Sequence, residues 1–261
     1  MTTLLSVQDL NFYHKSRNSF LRKQPPFHLT DINFSINAGE TLAIVGDNGS
    51  GKSTLANLLV GVYKPSSGSI SLNDQQLGSR NTKQRCLNIR MIFQNTKESI
   101  NPALTLGHML DESLVLNTKL SALERGQQID KTLRLVGLLP EHKYFYRHML
   151  SDGQLQRMAL ARALILNPKV IVADEPFAAL DPSVRSQTIN LFMKLQKDLG
   201  LGFVFIAHNL GIVRHISDRM LVIQDGRVVE SGKTEVLINW PKSEYTKQLI
   251  HSYYSLVNGQ Y

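Results

Sequence analysis

Gly46-Asp47-Asn48-Gly49-Ser50-Gly51-Lys52-Ser53 fits the pattern G-x-x-x-x-G-K-[ST]. Its neighbours decide what it can be. Thr41-Leu42-Ala43-Ile44-Val45, just before it, is an unbroken apolar run of strand length. Ser53 to Val60, at its end, reads as the start of a helix. Strand, glycine-rich turn and helix in that order build a phosphate cradle. The glycines let the backbone curl until amide N–H groups point inward at a β-phosphate. The helix N-terminus adds the positive end of its dipole. Lys52 has the reach for β- and γ-phosphates, Thr54 adds a second hydroxyl, and the Ser53 hydroxyl suits Mg²⁺. Glycine-rich turns of this kind also occur for packing alone, but the full pattern in this context favours phosphate. It leaves kinase, GTPase and motor chemistry open.

Working outward, Leu4–Leu10 reads as a strand, and 14–27 as a loop rich in Lys, Arg, Ser and Pro. Leu29 to Asn37 alternates apolar and polar residues, as a half-exposed antiparallel strand does. Asn37 to Glu40 and Ser66 to Gly68 read as turns, with a strand over Ser69–Leu72. From about Asn95 to Arg162 helical periodicity dominates, so 95–162 is expected to be an inserted helical lobe, with 1–94 and 163–261 forming the core. Lys169–Ala173 and Gly202–Ala207 are buried-strand runs flanking a helix from Pro182 to Leu199. Alternating strands and helices predict an α/β fold with a mostly parallel sheet covered on both faces. Arg219 to Glu230 reads as a hairpin turning at Asp225-Gly226, and the tail beyond Ser243 as helix.

The strand Lys169–Ala173 ends in Asp174-Glu175. In a doubly wound sheet that edge is where sites gather. Asp174 is placed to hold Mg²⁺, and Glu175 to orient or deprotonate an attacking water. Two acids at a strand end can equally be a solvated terminus; the cradle earlier in the chain tips the reading.

Composition narrows the classes. With 261 residues, 42% of them hydrophobic and 19% charged, the chain can bury a core of one large domain. No stretch approaches the ~18 apolar residues of a membrane helix, and the N-terminus lacks the basic-then-apolar signal pattern. These features predict a cytosolic chain that reaches a membrane only through partners. Cys86 is the only cysteine, so no internal disulfide or cysteine-rich metal site is expected. The histidines show no zinc-ligand spacing. The net charge of +8 reads as nucleic-acid binding or as solvated surface attracting polyphosphate and anionic headgroups. No Lys/Arg run exceeds two residues, which favours the second.

Leu150-Ser151-Asp152-Gly153-Gln154 resembles the L-S-G-G-Q signature of ABC ATPases. Gln94 matches the family's Q-loop, Ala179-Leu180-Asp181 its D-loop, and His208 its switch histidine, all in family order from about residue 4 to 250. The resemblance implies a P-loop core, an antiparallel β-subdomain and a helical signature subdomain. It implies that two ATPases pair head to tail, with ATP between the loop of residues Gly46–Thr54 of one and Ser151, Gly153 and Gln154 of the other. Gln94 would sense Mg²⁺ or water, Asp181 would reach across the pair, and His208 would contact the γ-phosphate. The adenine-stacking position falls on His14 or Tyr13.

Ser99-Ile100-Asn101-Pro102 and Pro241-x-x-x-Tyr245-Thr246-Lys247-x-Leu249 resemble motifs of the peptide-uptake group, in particular the second ATPase of antimicrobial-peptide systems. That likeness implies two integral membrane permease subunits, a second and different ATPase subunit, an extracytoplasmic binding protein, no nucleic acid, and a place on the cytoplasmic face of the inner membrane. Two departures stand out. Asp152 replaces a signature glycine, and the longer, sometimes cysteine-bearing C-terminal extension of many such ATPases has no counterpart before Tyr261.

Overall fold

The computed structural model describes residues 2–13, 28–78, 81–178 and 180–258. Two compact units emerge: Met1–Arg85 with Gly202–Tyr261, and Cys86–Leu201.

The first unit opens with β1 (Thr3–Tyr13), β2 (His28–Asn37), β3 (Thr41–Val45), α1 (Lys52–Val60), β4 (Ser67–Leu72) and β5 (Gln75–Gln76). An antiparallel sheet runs in the order β2-β1-β4-β5. Leu29, Ile32, Phe34 and Ile36 of β2 are buried. The three-residue step from Leu29 to Ile32 breaks the period of two, and a bulge absorbs it. Asp31 on β2 sits at φ 52 and Asp9 on β1 at φ 46, where the β1–β2 register shifts.

The second unit receives the end of α2 (Thr82–Asn88) and continues with β6 (Ile89–Ile92), α3 (Leu106–Asn117), α4 (Ala122–Leu135), short 3₁₀ turns at Pro140–Tyr144 and Arg147–Met149, α5 (Asp152–Leu164), β7 (Val170–Asp174) and α6 (Pro182–Leu199). β6 and β7 are parallel, with Ile89 opposite Val170 and Ile92 opposite Ala173. The expected helical stretch lies inside this unit. β6 was not foreseen: Arg90 interrupts its apolar run, and only pairing with β7 makes it a strand.

The chain returns to the first unit as β8 (Gly202–Ile206), α7 (Leu210–Ile216), β9 (Arg219–Gln224), β10 (Arg227–Lys233), α8 (Thr234–Asn239) and α9 (Glu244–Asn258). β3 is parallel to both β8 and β9. All five residues of β3 and of β8 are buried, as a strand covered on both faces requires. Asp225 (φ 47) and Gly226 (φ 76) turn the β9–β10 hairpin with two left-handed residues, the requirement of a tight primed turn. Asp218 accepts from the Thr41 amide at 2.8 Å, and Arg219 pairs with Glu40 at 3.0 Å, which ties the start of β9 to the start of β3. Ala43, Val45, Val213, Val222 and Ile250 share one core beneath α9. Among the described residues no helix is long and apolar enough to cross a membrane.

Candidate nucleotide site

β3 delivers the chain into the glycine loop, and three glycines shape it. Gly46 (φ 151), Gly49 (φ 81) and Gly51 (φ 111) take backbone angles that other residues rarely adopt. Gly46 has a second reason: a Cβ there would strike the Ile223 carbonyl of β9. The Gly226 amide donates to the Ser50 carbonyl at 3.0 Å, so the β9–β10 turn braces the loop from outside. Ser50 Oγ is buried with no hydrogen-bond partner among the described residues. Lys52 is buried, and its Nζ donates to the carbonyls of Gly46 (2.9 Å) and Asp47 (2.8 Å). Asp47, Asn48, Gly49 and Ser53 are exposed, and Thr54 is half-buried.

In the second unit Asp174 is buried as the last residue of β7, and Glu175 follows at φ 46. A non-glycine residue in the left-handed region is worth attention at a strand end. Gln94 Nε2 donates to Glu175 Oε2 at 3.2 Å, joining two residues picked out separately in the sequence.

The signature is a helix N-terminus. Ser151 caps α5: its Oγ accepts from the Gln154 amide (3.3 Å), and Gln154 Oε1 accepts from the Ser151 amide (3.0 Å), a reciprocal capping box. Gln154 Nε2 also meets His142 Nε2 at 3.3 Å. Asp152 is exposed at the first helical position. A Cβ on Gly153 would come within 2.7 Å of Val184 on α6, so packing alone demands glycine there.

Sequence reasoning missed the groups that tie the segment after Gln94 to the signature limb. Thr96 Oγ1 donates to Gln156 Oε1 on α5 (2.7 Å). Arg162 donates to the Ser99 carbonyl and hydroxyl (2.5 and 3.1 Å), and Arg147 to the Lys97 carbonyl (2.8 Å). Ser99 of the Ser99–Pro102 motif thus has a structural partner. Burial, with Arg90 nearby, holds the Arg162 guanidinium below its ordinary pKa.

The remaining sequence candidates are more scattered. Asp181 is the N-cap residue of α6, with no side-chain capping hydrogen bond among the described residues, ahead of Pro182 at the first helical position. His208 is exposed between β8 and α7. Tyr13 stacks on His28, centroids 6.1 Å apart, a partner the sequence did not reveal. His14 and Ala179 lie outside the described residues.

A glycine loop on a buried parallel strand, an acid pair at a second strand end and a capped signature helix together define an ABC-type ATPase. The profile of the family described as "ABC transporter" matches residues 29–178. SapF of Escherichia coli K12, named a putrescine export system ATP-binding protein, is 45% identical over 252 residues, covering 97% of this chain and 94% of that one. SapF of Shigella flexneri, named a peptide transport system ATP-binding protein, matches equally over the same shares. DppF of Pseudomonas aeruginosa, a di/tripeptide transport ATP-binding protein, is 44% identical across 96% of this chain and 79% of its own. Among solved structures, CbiO1 from Clostridium perfringens, part of an ABC transporter complex, superposes with a TM-score of 0.79 at 30% identity, covering 92% of each chain. The ATP-binding cassette MJ0796, bound to ADP and Pi in a post-hydrolysis state, gives 0.74 at 26% identity over 88% of this chain and 99% of that one. The chain belongs to the ABC transporter family. It is an ATP-binding, ATP-hydrolysing subunit of that family.

Proposed function

We propose that this chain powers peptide uptake, working with two integral membrane permease subunits and a second, different ATPase subunit on the cytoplasmic face of the inner membrane. An extracytoplasmic binding protein would deliver the cargo. The near full-length likeness to peptide-transport ATPases, 45% over 97% of the chain, carries this reading. Lys52 and the amides of Gly49 and Gly51 hold the phosphates, and Ser53 and Thr54 close the cradle. The donor set Ser53, Gln94 and Asp174 offers oxygens suited to a hard divalent cation, and we assign it to Mg²⁺, which would neutralise phosphate charge. Glu175, held by Gln94, orients or deprotonates the attacking water. His208 meets the γ-phosphate. Ser151, Gly153 and Gln154 serve the ATP of the partner ATPase, Asp181 reaches across the pair, and Tyr13 or His14 stacks on adenine.

The name of the K12 relative supports a second reading, export of a polyamine. Two experiments address these readings, the first the transport role and the second the cargo. Tagged chain bearing Glu175→Gln is recovered from its host's membranes in MgATP and mild detergent, and its companions are identified by mass spectrometry. Two polytopic membrane proteins and a second ATPase are expected. Recovery with ribosomes or nucleic acid, without membrane proteins, overturns the transport reading. Loss of peptide uptake on deletion, with putrescine efflux intact, selects the first cargo, and the reverse selects the second.

A further inference from the structure

The motif Pro241-x-x-x-Tyr245-Thr246-Lys247-x-Leu249 has so far marked only a subgroup. In the structure Tyr245 sits in the first turn of α9, and it reaches the glycine loop of its own unit. Its hydroxyl makes two bonds to one residue: it accepts from the Asp47 amide (2.8 Å) and donates to Asp47 Oδ2 (2.9 Å). The Asp47 carbonyl in turn accepts from Lys52 Nζ (2.8 Å). A continuous chain of hydrogen bonds therefore runs from α9, through Asp47, to the ammonium group.

α9 is well anchored for this task. Glu230 on β10 accepts from the Lys242 and Ser243 amides just ahead of the helix (2.9 and 3.1 Å). Ile250 is buried in the core shared with Ala43 and Val45 of β3, and Tyr245, Leu249 and Tyr253 pack against that core. Tyr253 donates to Asn209 Oδ1 (3.0 Å), the residue after His208. The same Asn209 oxygen accepts from the Ile212 amide and so caps α7. One helix thus braces two of the loops that carry proposed site residues. Burial, then the carboxylates of Asp47 and Asp225, push the Tyr245 phenol up to about 12, so it keeps its donor proton throughout the neutral range.

We propose that Tyr245 is a positioning residue for ATP binding, which acts through Asp47 to fix the glycine loop and the approach of Lys52 to the phosphates. The proposal rests on the reading of Gly46–Thr54 as the phosphate loop. A loop with three glycines in left-handed conformations is soft, and ordering it on binding costs conformational entropy. Two bonds from a docked helix remove part of that freedom beforehand, which raises affinity with no contact to the ligand.

The test is titration of the full chain with a fluorescent ATP analogue and Mg²⁺, alongside thermal unfolding. Tyr245→Phe keeps the ring and removes both bonds to Asp47. It is expected to raise Kd ~3- to 10-fold, the scale of one or two exposed hydrogen bonds, and to lower Tm by no more than ~4 °C. In an Asp47→Ala background, where only the bond from the residue 47 amide remains, the same change is expected to cost less affinity than it does in the unaltered chain. Asp47→Asn, which keeps the amide bond and weakens the acceptor, gives a smaller rise in Kd and serves if Tyr245→Phe does not fold. A merely structural tyrosine would lower Tm and leave Kd where it was, and that result overturns the proposal. So does an equal loss of affinity on adding Tyr245→Phe to Asp47→Ala. Lys52→Ala separates the two readings. If it binds the analogue as tightly as the unaltered chain, the phosphate-loop reading fails. If it abolishes binding while Tyr245→Phe changes nothing, the loop reading stands and the role of Tyr245 falls.

Discussion

Glu175 carries the sharpest chemical expectation at the residue scale. It follows a fully buried strand, adopts φ 46, and receives Gln94 at 3.2 Å. Glu175→Gln keeps the shape and removes the carboxylate proposed to act on water. ATP binding is expected to persist while single-turnover hydrolysis slows by ~10²–10⁴; undiminished turnover removes Glu175 from the mechanism. Asp152 is the other residue to weigh. Its exposed carboxylate stands at the first position of α5, where the positive end of the helix dipole stabilises it. The same charge facing a partner's triphosphate repels it, by ~4 kcal/mol at ~4 Å near a protein surface and ~1 in bulk water. Asp152→Gly is therefore expected to raise ATP affinity or turnover in the assembled complex, at ~1 kcal/mol or less of helix stability. Unchanged rate and affinity would mean that the Asp152 carboxylate does not weaken a partner's site.

At the scale of elements, the signature helix has structural demands that precede any contact with nucleotide. Gly153 faces Val184 of α6 so closely that a methyl group does not fit. Gly153→Ala is expected to destabilise the chain by ~1–3 kcal/mol in urea unfolding. Adding Val184→Ala should recover part of that; no recovery would mean the clash is not the cause. The turn after Gln94 depends on the same limb. Arg162→Ala removes both bonds to Ser99, and amide exchange over 95–101 is expected to quicken relative to β7.

The whole molecule responds to pH through the anchors of α9. Burial works to raise the Glu230 carboxyl, but its hydrogen bonds, the Lys242 and Ser243 amides among them, outweigh this and hold it below the ordinary glutamate value of about 4.3. A depressed carboxylate stabilises the fold above that ordinary value, and the contribution disappears as pH falls through the lower folded value. Tyr245 acts in the opposite sense. Its pKa of about 12 lies above the ordinary ~10, so its contribution is full below pH ~10 and is lost as pH rises toward 12. Denaturant midpoints are expected to fall at both extremes, with the alkaline fall reduced in Tyr245→Phe. An identical alkaline fall in that variant would assign the effect to another group.

The sequence by itself determined the features written in consecutive residues. The all-apolar β3, the glycine loop and α1 follow from local period and glycine freedom. Local chemistry also decided the Asp225-Gly226 turn and placed Asp174-Glu175 at the end of β7. Tertiary structure alone decided what depends on distant partners. β6 becomes a strand only against β7, since Arg90 hides its apolar run. Gln94 meets Glu175 across 81 residues of chain, and Tyr245 meets Asp47 across 198. No pattern of neighbouring residues encodes such pairs, because a side chain's partners are fixed by which surfaces the hydrophobic core brings together. The same reason kept the His28 stack on Tyr13 and the Val184 contact of Gly153 out of reach until the chain was folded.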